Sequence, residues 1–355
     1  MDLTQLLTFA VDNGAEAALV WANSPPVLRM KGKLVFTKME SLTVEGLRSL
    51  VVPALSDREI DELERRREVR FTRKVREDCH VLANVYFERG SLCAVFRFAP
   101  PAAAAPSKLG LPSLIAEAVR APQGLVLIVA PPGHGKSTTL ASLVELINSE
   151  REAVILTVEK AIIHPHKSSL AVVHQREVGR DAVGFVEAIA GAAGQDPDVL
   201  VIDPLEEGEP VRRALAFAGR GRLVIASMEA DYVLEAIEKL LRSGQRNAKG
   251  EVDAESALAL RRQLAASLTL VAALRLLPRK DGAGRVPATE LLKVDAAVAA
   301  LIREGNLDAL GKRMKSPQES STWTLDSFIL KLHERGLVDA EAAKRYLLNA
   351  GGLEA

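Results

Sequence analysis

The chain has 355 residues, 48% hydrophobic and 26% charged, a length that suits about two domains and a composition that excludes a disordered chain or a fibrous repeat. Its 46 basic and 46 acidic residues give zero formal net charge, so no chain-wide attraction to nucleic acid or to an anionic membrane is expected. Cys79 and Cys93 are the only cysteines, too few for a disulfide scaffold or a zinc framework, and they suit a reducing, cytoplasmic compartment.

The first segment carries Asp2 and Asp12 and has no basic start, unlike a secretory signal. No apolar run reaches the ~20 residues of a membrane span, so direct membrane insertion is not expected. Leu3 to Val11 reads as a small amphipathic helix. After Pro25-Pro26, Val27 to Met30 and Leu34-Val35 flank Lys31-Gly32 as strands flank a hairpin turn. Helical spacing runs from Thr43 to Leu63, and the mixed charges from Asp57 to Arg76 read as a solvated helix face whose signs neutralise locally. Val81 to Phe87 and Cys93 to Phe98 read as strands in which the two thiols pack rather than react. The prolines and alanines from Ala99 to Pro106 then fix φ and offer little to bury, as in a semi-rigid linker.

Beyond the linker, Leu125–Val129, Val154–Val158, Val199–Ile202 and Leu223–Ala226 are short and almost wholly apolar. Runs of this kind are buried on both faces, which predicts a parallel sheet covered by helices. After about residue 255 the pattern reads as helical to the end, broken at Lys280–Arg285 and at Lys315–Ser321.

The sharpest local signal begins at the strand Gly124–Val129. It continues through Ala130-Pro131-Pro132-Gly133-His134-Gly135 into a helix opening Lys136-Ser137-Thr138. A buried strand, a glycine-rich turn and a helix in that order form a phosphate loop. Gly133 and Gly135 let backbone amides converge on phosphates, and the helix N-terminus adds partial positive charge. Lys136 reaches the β- and γ-phosphates of ATP, and the Ser137 hydroxyl is placed to ligand Mg²⁺. Ala130 stands where the loop usually opens with glycine, and a small residue serves there. The binding residues are therefore Ala130, Gly133, His134, Gly135, Lys136, Ser137 and Thr138. Asp203, closing the apolar run Val199–Ile202, is the second Mg²⁺ candidate.

Further motifs extend beyond the phosphate loop. They are Met1 to Leu7, Pro25 to Gly32, Gln175-Arg176-Glu177-Val178, Gln195-Asp196-Pro197-Asp198, Ala297 to Glu304, Trp323 to Asp326 and Arg335-Gly336-Leu337. Taken in order, they resemble the PilT-type type IV pilus retraction ATPases of the secretion/pilus motor superfamily over nearly the full length. The resemblance implies an α/β chain: an N-terminal PAS-like α+β domain over 1–98, a proline/alanine linker over 99–112, a RecA-like P-loop ATPase domain over 113–290 and a helical C-terminal region over 291–355. It also implies a homo-hexamer, or a mixed ring with a paralogous ATPase, working on an inner-membrane pilus platform protein from the cytoplasmic side.

Departures from the family pattern fall on residues that would do chemistry. In the run Thr157-Val158-Glu159-Lys160-Ala161 the resemblance makes Glu159 the candidate that activates water. Lys160 and Ala161 replace the acidic residue and proline expected next, and a cation at Lys160 would hold Glu159 charged and weaken it as a base. Pro204 stands where the family carries a glutamate, leaving Asp203 to substitute in part, while Glu206 and Glu207 lie past the turn. Glu229 stands at the family's histidine, setting a carboxylate where the γ-phosphate would come. His80 and Leu82 replace arginines, although Asn84 keeps its place. Concerted loss around an intact phosphate loop predicts a subunit that binds ATP and hydrolyses it poorly; the alternative is an active motor using Glu159 and Asp203. A DNA-handling protein is disfavoured by the neutral charge and by the lack of a basic–aromatic stripe. His164-Pro165-His166 lacks a second ligand pair for a metal and reads as a solvent-facing loop.

Overall fold

The structure, a computed structural model, describes residues 2–30, 33–76, 79–98, 103–244, 253–282, 284–316 and 322–348. The Lys31-Gly32 turn, residues 99–102 of the expected linker, residues 317–321 of the second expected break and the chain end after residue 348 lie outside them. Two compact units form, one of Met1–Ala102 with Ala161–Pro165 and one of Ala103–Lys160 with His166–Ala355.

The first unit is built on helix α1 (Leu3–Asp12), strands β1 (Ala17–Trp21), β2 (Val27–Met30) and β3 (Lys33–Phe36), helices α2 (Val44–Val51) and α3 (Asp57–Arg66), and strands β4 (Glu68–Arg76), β5 (Cys79–Glu88) and β6 (Ser91–Phe98). Its six strands pair antiparallel in the order β3-β2-β1-β6-β5-β4. Alternate residues of β5 are buried, which leaves one face for the core of Leu6, Leu47 and Phe96. Reciprocal capping starts two helices, Asp2 with Gln5 and Ser56 with Glu59. The charged stretch expected to be one solvated helix face is divided. Helix α3 ends at Arg67, which takes a left-handed φ of +62, and β4 follows with Val69 and Phe71 buried. Mixed charge hid the strand because its outward positions carry Arg70, Arg73 and Lys74. Cys79 and Cys93 are both buried and unbridged.

In the second unit, residues 103–112 hold turns and no regular element. Helix α4 (Ser113–Val119) leads into strand β7 (Gly124–Val129), helix α5 (Lys136–Glu150), strands β8 (Val154–Glu159) and β9 (Val172–Glu177), and helix α6 (Phe185–Ala192). Next come β10 (Val199–Asp203), α7 (Glu209–Ala218), β11 (Leu223–Met228), α8 (Val233–Arg242) and α9 (Ala254–Ser267). The unit ends with β12 (Leu268–Pro278), β13 (Arg285–Lys293), α10 (Ala296–Glu304), α11 (Leu307–Met314), β14 (Thr322–Trp323), α12 (Leu325–Glu334) and α13 (Ala340–Tyr346). The sheet runs β14-β13-β12-β7-β11-β10-β8-β9. The strands from β12 to β9 are parallel, while β13 and β14 return antiparallel. Along β7, Val126 and Ile128 face α4 and α5, whereas Leu127 and Val129 face the layer of α6 to α10. Burial on both faces is what the unbroken apolar run predicts.

The wholly helical reading after residue 255 does not hold. Leu268–Pro278 and Arg285–Lys293 form a long hairpin whose first strand lies parallel to β7. Leucine and alanine favour helix in isolation, and pairing with β7 overrides that preference. The break at Lys280–Arg285 contains Asp281-Gly282, a turn signal that could have revealed the hairpin. No helix among the described residues is long and apolar enough to cross a membrane.

Candidate nucleotide site

The carboxyl ends of parallel strands are where an open α/β sheet leaves room for a ligand, and there β7 runs out into the phosphate loop. The amide of Ala130 donates to the Met228 carbonyl at 3.3 Å, tying the loop's start to the end of β11. Gly133 and Gly135 adopt φ of +78 and +92, the left-handed region that side chains resist. Gly135 opens α5, and no side chain caps that helix. The first-turn amides of an uncapped helix are free to donate to phosphate oxygens, so this loop fits the polyphosphate of a nucleotide. Lys136 Nζ donates to the Ala130 carbonyl at 2.7 Å and to Pro131 at 3.2 Å, which folds the ammonium back over the loop. Burial lowers the Lys136 pKa, while Glu229 and then Asp203 act in the opposite sense.

Strands β12 and β13, absent from the expectations, hold the loop from its other side. The amide of Leu276 donates to His134 Nδ1 at 3.0 Å, and Arg285 Nη1 donates to the Gly133 carbonyl at 3.2 Å. Burial lowers the His134 pKa, and Arg275, Arg285 and Lys136 add to that effect. A neutral ring whose Nδ1 accepts carries its proton on Nε2.

Glu159, Asp203 and Glu177 lie in register across neighbouring strand ends, Asp203 opposite Glu159 and Glu159 opposite Glu177. Glu159 is only partly exposed. It accepts hydrogen bonds from Thr157 Oγ1 at 2.6 Å and Gln175 Nε2 at 3.0 Å. Burial nevertheless raises its pKa to about 7; those two bonds pull it down, and Asp203 and Glu177 push it further up. The expected effect of Lys160 is therefore corrected: its side chain is exposed, and desolvation rather than a neighbouring cation governs the carboxyl. A carboxylate with a pKa near 7 is a stronger base than an ordinary one.

The Asp203 carboxylate takes a hydrogen bond from the Ser227 hydroxyl. Among the described residues no three His, Cys, Asp or Glu side chains are grouped to hold a metal by themselves. Mg²⁺ is bound through one or two protein ligands and completed by phosphate oxygens and water; the Ser137 hydroxyl and the Asp203 carboxylate, both oxygen donors, would be those ligands. Pro204 offers no carboxylate beside Asp203, and Glu206 and Glu207 are exposed, with Glu207 Oε2 3.5 Å from Arg242. Glu229 is exposed, and its carbonyl accepts from Lys239 Nζ at 2.6 Å. The solvent-facing reading of the histidine pair is also corrected: His164 is buried, and His166 Nδ1 lies 2.5 Å from Glu145 Oε1.

Residues 108–322 match the family described as "Type II/IV secretion system protein". The chain is 30% identical to the "Type IV pilus retractation ATPase PilT" of Pseudomonas aeruginosa, covering 97% of each. It is 26% identical to the "Type IV pilus ATPase PilU" of the same organism, covering 99% of this chain and 90% of PilU. A crystal structure of the pilus retraction motor PilT with bound ADP superposes with a TM-score of 0.87, at 30% identity and covering 98% of each chain. The two-sheet α/β fold is thus that of the PilT ATPase structure.

Proposed function

The chain belongs to the type II/IV secretion system protein family, and from that premise we propose that it is an ATP-binding subunit of pilus or twitching machinery that hydrolyses ATP poorly and serves a regulatory or accessory role. On this reading residues 1–98 are the PAS-like domain, 99–112 the linker, 113–290 the RecA-like domain and 291–355 the helical C-terminal region. The subunit assembles as a homo-hexamer or in a mixed ring with a paralogous ATPase. It sits in the cytoplasm against the inner-membrane pilus platform protein. Similarity to both PilT and PilU, two pilus ATPases of one organism, supports the mixed ring.

The observation that carries the hydrolysis-poor reading is the pairing of an uncapped phosphate loop with thinned chemistry beside it. Pro204 follows Asp203, whose carboxylate is already engaged by Ser227, and the charge of Glu229 acts on Lys136. The second reading is an active hexameric motor with non-standard residues, and the raised pKa of Glu159 favours it, since a base titrating near neutrality suits water activation. Steady-state phosphate release measured beside a Mg-ATP titration separates the two. Binding with turnover far below ~1 s⁻¹ supports the first, and turnover at or above that rate overturns it. Pro204→Glu combined with Glu229→His is expected to raise phosphate release, and no gain would count against chemistry being what was lost.

A further inference from the structure

We propose that His134 is a positioning residue: its imidazole is a hydrogen-bond acceptor that latches the phosphate loop to β12, and nucleotide affinity depends on that acceptor rather than on a contact between His134 and phosphate. The inference rests on the nucleotide-binding reading above and deepens it by naming what holds the loop in shape.

The loop has little of its own to hold it. Pro131 and Pro132 have no amide hydrogen to donate, and Gly133 and Gly135 have the widest backbone freedom of any residue type. Within the loop the His134 amide lies 3.4 Å from the Pro131 carbonyl, beyond the usual range of such a bond. Lys136 spans the Ala130 and Pro131 carbonyls, but with the same ammonium that is to meet phosphate.

The neighbouring strands supply what is missing. Strand β12 pairs with β7 as far as Ala273 opposite Val129, then runs on to Pro278 while β7 has turned into the loop. Strand β13 occupies the opposite edge of β12, so the Leu276 amide needs an acceptor that β7 no longer offers. His134 Nδ1 is that acceptor, at 3.0 Å. The ring nitrogen thus continues the ladder between β12 and β7 where backbone pairing stops. Two further contacts act at the same place. The Leu276 side chain closes over Gly135, its Cδ1 3.6 Å from where a Cβ would stand, and Arg285 of β13 donates to the Gly133 carbonyl. Gly133, His134 and Gly135 are therefore each met by the β12–β13 hairpin.

Only a neutral ring can serve, since imidazolium donates from both nitrogens. Burial favours that form, and the charges of Arg275, Arg285 and Lys136 add to it against the opposing charge of Asp231. A loop pinned at three successive residues has less freedom to lose when phosphate arrives, so less of the binding free energy goes into ordering it.

Calorimetric titration of the full chain with Mg-ADP tests the proposal, with a thermal melt of each nucleotide-free variant run beside it. His134→Ala removes the acceptor and is expected to weaken ADP binding about 5–30-fold. His134→Asn puts an amide oxygen near the place of Nδ1 and is expected to recover affinity to within about threefold of the parent. His134→Lys offers phosphate a cation but gives Leu276 no acceptor, and is expected to bind as weakly as the alanine variant. An alanine variant that binds like the parent, or an asparagine variant as weak as alanine, would overturn the latch. So would a lysine variant at least as tight as the parent, which would make residue 134 a phosphate contact. Should His134→Ala melt too early to titrate, the contrast between asparagine and lysine decides the same question. Failure of the unaltered chain to bind ADP would overturn the nucleotide reading itself.

Discussion

The phosphate loop and the row of acids beside it occupy neighbouring strand ends of one sheet, yet they are made in different ways. The loop is a local device: glycines at positive φ, an uncapped helix and a lysine lie within seven residues of one another. The acidic row is assembled from far-apart segments, with Glu159, Glu177 and Asp203 brought together by parallel pairing. A local device survives change elsewhere in the chain. A distributed one depends on several strand ends at once. On the proposed reading, nucleotide binding and nucleotide cleavage would respond to different substitutions.

That contrast can be broken most forcefully at Glu159. If the carboxyl is the base behind any residual hydrolysis, Glu159→Gln lowers phosphate release by about 10²–10⁴-fold with nucleotide affinity nearly unchanged. A fall in affinity matching the fall in rate would show instead that the row also binds. Lys136→Ala addresses the other half. Losing charge-assisted bonds to phosphate is expected to weaken ATP and ADP binding by about 10–100-fold in the same titration, and unchanged affinity would show that the loop does not grip phosphate.

A smaller effect concerns pH. Burial raises the pKa of Glu159 to about 7. It does the same for Glu290, also to about 7, where the carboxylate accepts the amide of Val233 at the start of α8. Both groups hold protons in the folded chain that they release when unfolded at the same pH, so stability is greatest below about pH 4.5 as far as these groups are concerned and declines as pH rises toward 7. Each contributes up to about 1.4 kcal/mol per pH unit across that window. Denaturant melts at pH 5.5 and 7.5 should show the loss, and Glu290→Gln, which keeps an acceptor for Val233, should reduce it. A loss of the same size in the variant would remove Glu290 from the account.

The strand–turn–helix of the phosphate loop was readable because each of its requirements is met by adjacent residues. The four apolar strands were readable because burial on two faces leaves an unbroken pattern. Strands β12 and β13 were not, since leucine and alanine serve helix and buried strand equally well until a partner strand is chosen. The hold that Leu276 and Arg285 exert on the loop was hidden with them. The proton affinity of Glu159 was misread for a related reason: Lys160 is its neighbour in sequence, but its side chain is exposed while Thr157 and Gln175 are the groups that touch the carboxyl.

By itself the sequence determined the strand Gly124–Val129, the glycine-rich turn after it and the helix that opens at Lys136. Only the tertiary structure decided which carboxylates act on Lys136, which strands hold the loop, and whether Glu159 is held charged or pushed toward neutrality. The physical reason is range. Backbone conformation and capping are settled within a few residues, whereas desolvation and charge–charge interaction depend on distances that exist only once remote strands have paired.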